Sequence, residues 1–195
     1  MRKLFLVKVI HTLVDMGSLK DSIIKEEVAK VGVEKWEEHQ RRIEIFWEEK
    51  EKEIDNLDLD HEKTKIYQDG LPCGGDIGIE VVNDLAKKGS RNYMIVKNLM
   101  DKGATVMATE NIQLLREEYQ KIKEVLMAPT PEKKFEALES YEKIKSRLMI
   151  GRDEHIANTI NSTLKEGETG ILFIGAAHDI VSGLDKDIEV KIIGC

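Results

Sequence analysis

The chain has 195 residues, 41% of them hydrophobic and 34% charged, enough to bury one sizeable core and short for two domains. A net charge of −7 gives no general attraction to nucleic acid or to an anionic membrane surface, so neither is expected as a partner. The longest apolar runs, 4–10 and 171–177, fall well short of the ~20 residues that a membrane-spanning helix needs.

The first predicted element is a strand over 3–10. Lys8 and His11 interrupt its apolar run and no small-residue cleavage site follows, so the segment reads as a strand and not as a signal peptide. A helix is expected to start near Ser18. Over 33–57, Trp36, Ile43, Phe46, Trp47 and Ile54 recur at helical spacings among dense Glu, Lys and Arg, which predicts a long amphipathic helix with a solvated outer face. The weakest strand, 63–67, alternates as an edge strand would. Helices over 80–88 and 90–102, parted at Gly89, lead to a strand over 105–108 and a helix over 110–127.

Pro129 and Pro131 break that helix, and Thr130 with Pro131 caps the start of the next, which is expected to run to about Met149. Gly151 is read as an interruption before a further helix over 152–165, and strands follow over 170–174 and 189–193. Strands alternating with helices predict a single α/β domain with a mostly parallel central sheet and flanking helices. The charged helices 33–57 and 131–149 are excursions that form a helical pair, as a lid or as a homo-oligomer surface. Gly74-Gly75-Asp76-Ile77-Gly78 is glycine-rich without the spacing of a nucleotide loop. Cys73 and Cys195 carry no disulfide or zinc spacing and fit reduced thiols in a cytoplasmic protein.

In an open parallel sheet, ligands bind beyond the carboxyl ends of the strands. His11, Asp69, Glu110 and His178 each follow a predicted strand, so four titratable side chains from four segments are expected to converge there. For Glu110 a helix cap and for Asp69-Gly70 a plain turn are equally good accounts. His39 and His61 lie in charged, solvated surroundings, and His155 is intermediate. Two imidazoles with one or two carboxylates suit a divalent zinc, manganese or cobalt ion; without metal, the same groups suit general acid–base work. Asp15 would orient His11 or cap the helix near Ser18, and Arg152 would hold an anionic group or a developing oxyanion.

Arg152-Asp153-Glu154-His155, followed by Ile171-Leu172-Phe173-Ile174-Gly175-Ala176-Ala177-His178, resembles the closing motif of the TraB/PrgY/GumN and Tiki proteins, within the erythromycin-esterase/ChaN-like group. Gly175 to His178 matches the family's Gly-x-x-His. Lys8-Val9-Ile10-His11 keeps the first histidine with Lys8 in place of glycine, and Asp153 stands where asparagine is common. The resemblance implies a hydrolase acting on a peptide or ester bond, metal-dependent in the Tiki manner, with His11, Glu110, His178 and Arg152 as its catalytic or ligating residues. Asp69 and Asp15 would then place a small-molecule or peptide substrate. Relatives that bind haem keep open a second reading, a non-catalytic small-ligand or haem-binding sensor using the same pocket.

Overall fold

A computed structural model describes residues 1–10, 12–15 and 17–194. Five strands, β1 (Arg2–Val9), β2 (Thr64–Gln68), β3 (Thr105–Met107), β4 (Thr169–Gly175) and β5 (Ile188–Ile193), form one parallel sheet in the order β3-β2-β4-β1-β5. Six helices flank it: α1 (Lys20–Val31), α2 (Val33–Asp55), α3 (Gly75–Lys87), α4 (Arg91–Asp101), α5 (Ile112–Leu126) and α6 (Pro131–Thr163). The α/β architecture with a parallel sheet follows the sequence pattern. Among the described residues no helix is long and apolar enough to cross a membrane.

Strand alternation sorts side chains onto two cores. Val7, Val9, Ile66, Ile171 and Phe173 pack with Trp47 and Ile54 of α2 and with Val82, Val96 and Leu99 of α3 and α4. Leu4, Leu6, Tyr67, Leu172 and Ile174 pack on the other face with Ile156 and Ile160 of α6. Across the sheet, β3, β2, β4 and β1 therefore send their connections to alternating faces. In sheets whose neighbouring connections diverge in this way, ligands bind beyond the carboxyl edge.

Three sequence expectations need correction. Strand β2 is interior, between β3 and β4, and the three-residue β3 is the edge. The polar start of β2 is accommodated because Thr64 Oγ1 donates to the Asp60 carbonyl at 2.8 Å and Lys65 pairs with Glu168 at 2.7 Å. Gly151 does not interrupt a helix: α6 is continuous for 33 residues, and a Cβ at Gly151 would lie 3.1 Å from Leu114 Cδ1, so the glycine permits close approach of α5. The glycine-rich run at 74–78 is the start of α3, earlier than the predicted 80.

The charged excursions find partners within the chain. Helix α6 packs along α5, joined by Tyr141–Glu118 and Arg147–Glu117 contacts, while α2 pairs with α1. Lys134 reaches Glu26 at 2.9 Å and ties the start of α6 to α1.

Candidate functional site

Leu148, Arg152, Ile156 and Ile160 recur every fourth residue along α6 and are all buried, so Arg152 continues the stripe that covers the sheet. One turn beyond Ile156 it meets the carboxyl edge, and there its guanidinium is surrounded by acids. Nη2 donates to Asp69 Oδ1 at 2.6 Å and to Glu110 Oε1 at 2.5 Å, Nε reaches both Glu110 oxygens at 3.2 Å, and Nη1 pairs with Glu118 of α5. Burial opposes the charge on Arg152, but Glu110, Asp69 and Glu118 outweigh it and hold the guanidinium firmly protonated. Every guanidinium nitrogen is engaged. In this arrangement Arg152 organises three carboxylates and is not open to an anionic group, which departs from the role expected of it.

Asp69 follows β2 directly. Its backbone N–H extends the ladder to Phe173 at 2.9 Å, and its Oδ2 accepts the Gly175 N–H at 2.9 Å. A Cβ on Gly175 would fall 3.2 Å from that oxygen, so the glycine ending β4 makes room for the carboxylate. Glu110 precedes α5, whose start is capped by Asn111, and so is not a first-turn residue. The Thr109 and Glu110 amides both donate to the Leu71 carbonyl, and Gly70 N–H approaches Glu110 Oε1 at 3.4 Å, locking the β2 and β3 loops together.

The two carboxyls diverge in acidity. Burial pushes Asp69 up, but the charges of Arg152 and His178 and the Gly175 amide bring it below its ordinary value. For Glu110 burial dominates, reinforced by the neighbouring Asp69, and its carboxyl lies above its ordinary range despite Arg152.

His178 closes the turn that follows β4, its amide donating to the Gly175 carbonyl at 3.2 Å. Its ring is fixed by Asp153, whose Oδ1 lies 2.5 Å from Nδ1, while Asp153 Oδ2 accepts the Asp179 amide at 3.1 Å. The ring Nε2 faces Asp69 Oδ2 across 3.6 Å, too long for a direct hydrogen bond. Lys8 Nζ holds the His178 carbonyl at 2.9 Å. It continues the Leu4, Leu6 row on the α6 face, so this lysine braces the loop that carries His178.

Thus Asp69, Glu110, Arg152 and His178 are brought together, each with less than a tenth of its surface exposed. Asp15 is not part of that network: it accepts from the Thr12 amide at 2.6 Å and from Ser90 Oγ at 2.5 Å, pinning the loop after β1 to the start of α4. It does not cap α1 with its side chain. His11 lies outside the described residues. Glu118 and Tyr93 were not singled out by sequence, and Lys8 and Asp153 only as departures from the motif that the sequence resembles. Tyr93 is buried on α4, where burial and the charges of Asp15, Asp69 and Cys73 push its hydroxyl up.

The described donors do not fit a divalent metal as they stand. Glu110 and Asp69 are committed to Arg152, and no group of three or more His, Cys, Asp or Glu is placed to hold an ion among the described residues. Comparison of the chain with family models, with curated proteins and with solved structures gives no match.

Proposed function

We propose that the chain is a hydrolase of ester or peptide bonds that works at the carboxyl edge of the sheet by general acid–base catalysis. One observation carries the reading: Asp153 holds Nδ1 of His178 at 2.5 Å, and the opposite ring nitrogen faces the Asp69–Glu110–Arg152 cluster. A carboxylate accepting the Nδ1–H leaves Nε2 as the basic nitrogen in the neutral ring. Nε2 takes a proton from the attacking water as its oxygen bonds to the substrate carbonyl carbon. The imidazolium then gives that proton to the leaving oxygen or nitrogen as the scissile bond breaks, while Glu110, its carboxyl raised above its ordinary range by burial, stays paired with Arg152. Asp69, Arg152 and Asp153 are positioning residues in this scheme. No step is assigned to a metal.

The test is turnover of a panel of small esters and peptides by wild type and His178→Ala, purified without chelator and analysed for zinc, manganese and cobalt. Turnover by wild type that is lost in the variant, with no stoichiometric metal, supports the proposal. Stoichiometric metal that disappears in His178→Ala points to the metal-dependent version with His11. Equal turnover in both proteins overturns the assignment of His178.

A further inference from the structure

We infer that the cavity between α1, α2 and the turn after β1 is a binding site for a small amphiphilic acid, its apolar body between the helices and its anionic head on Lys35. The cavity measures about 660 Å³, within the range of small-molecule sites. Its walls carry Leu13, Ile23, Val31, Trp36 and Ile43. Helix α1 buries none of its residues in either core, although Ile23, Ile24 and Val28 recur on it at helical spacing. Ile23 and Val31 face this cavity instead. A helix whose apolar side lines a hollow leaves that area to be covered by something else.

The rim fixes the charge of the occupant. Glu27 is paired with Lys30 at 2.9 Å, and Glu38 with Arg41 and Arg42 at 3.0 Å each. Lys35 has no ion pair among the described residues, so one cation at the mouth is left for a ligand head group. A chain of net charge −7 with a single such cation is poorly suited to an anionic membrane face, so the occupant is a free molecule and not a lipid surface. The floor is rigid. Thr12 lines the cavity and is bonded to Asp15, and Trp47 Nε1 donates to the Ile10 carbonyl at 3.0 Å. The site lies against the turn after β1, and His178 in the turn after the neighbouring β4, yet the inference does not depend on hydrolysis.

The chain has two tryptophans, Trp36 in the cavity wall and Trp47 fully buried, which provides a direct readout. Titration of the intact protein with bromine-labelled dodecanoate should give saturable quenching of Trp36 emission. Trp36→Phe, which retains Trp47, should show none of it. Lys35→Glu should weaken binding roughly tenfold, the scale of one charge-assisted contact, and dodecanol should bind more weakly than dodecanoate. Both substitutions lie outside the cores, so folding is preserved. Absent quenching in wild type, equal quenching in Trp36→Phe, unchanged affinity in Lys35→Glu, equal binding of dodecanol, or quenching confined to phosphatidylglycerol vesicles with brominated chains would each overturn the inference.

Discussion

His178 Nδ1 and Asp153 Oδ1 lie 2.5 Å apart, joining the turn after β4 to a residue 25 positions earlier on α6. The contact fixes both the ring plane and the tautomer of the proposed base. Asp153→Asn keeps a hydrogen-bond acceptor but removes the charge that favours the imidazolium. Its kcat should fall on the order of a hundredfold with KM little changed, because the lost interaction grows only as the ring takes a proton. Steady-state kinetics check this; a rise in KM with unchanged kcat would make Asp153 a substrate contact instead.

Removing Arg152 should be far more damaging to folding than removing any one of its partners. Arg152→Met leaves Asp69, Glu110 and Glu118 buried or nearly so without their shared cation. Loss of a partner from a buried ion pair costs about 3–5 kcal/mol. Arg152→Lys should restore little, since one ammonium cannot reproduce the several directed contacts of the guanidinium. Urea denaturation of the variants reads this directly, and a midpoint within error of wild type for Arg152→Met would contradict the network.

Gly78→Ala separates local propensity from packing. Within a helix, alanine is better than glycine by about 1 kcal/mol. Here, however, a Cβ at Gly78 in α3 would approach the Cys73 carbonyl oxygen to 2.6 Å, and that oxygen belongs to backbone. The substitution should therefore destabilise, by about 1–3 kcal/mol, the scale of a forced backbone shift. A gain in thermal midpoint would show that the start of α3 yields easily.

The divergent carboxyls predict opposite pH dependences. Asp69 is held below its ordinary value, so its contribution to stability is present above the unfolded-state value and is lost as pH falls through the folded-state one. Glu110 lies above its ordinary value, so its contribution is present at low pH and is lost as pH rises through its folded-state value. The urea midpoint of Asp69→Asn should therefore fall less steeply on acidification than that of wild type. Glu110→Gln should lack the loss seen in wild type as pH rises above the ordinary glutamate range. Parallel profiles for all three proteins would contradict the assignment.

The strand-end rule made Asp69, Glu110 and His178 legible, because a parallel sheet gathers whatever follows its strands. It could not place Glu118, which looks like any glutamate on a charged helix until α5 lies along α6. Lys8 reads as a flaw in an apolar strand, and its function emerges only once β4 is known to lie beside β1, since only then does the Leu4, Leu6, Lys8 row point at the His178 loop. Gly151 reads as a breaker from propensity alone; its reason is the contact with Leu114, a tertiary fact. Asp153 stood out in the sequence only against a motif it resembles, and its partner, His178, is a tertiary fact.

The central claim is that His178 Nε2 is the base of a hydrolytic site. The pH dependence of kcat/KM for the best substrate of the ester and peptide panel, measured for wild type and His178→Gln, tests it most directly. The account predicts a kcat/KM lower on the order of a hundredfold or more in the variant, with a pH profile that no longer follows that of wild type. A variant that retains wild-type kcat/KM and the same pH profile would contradict it.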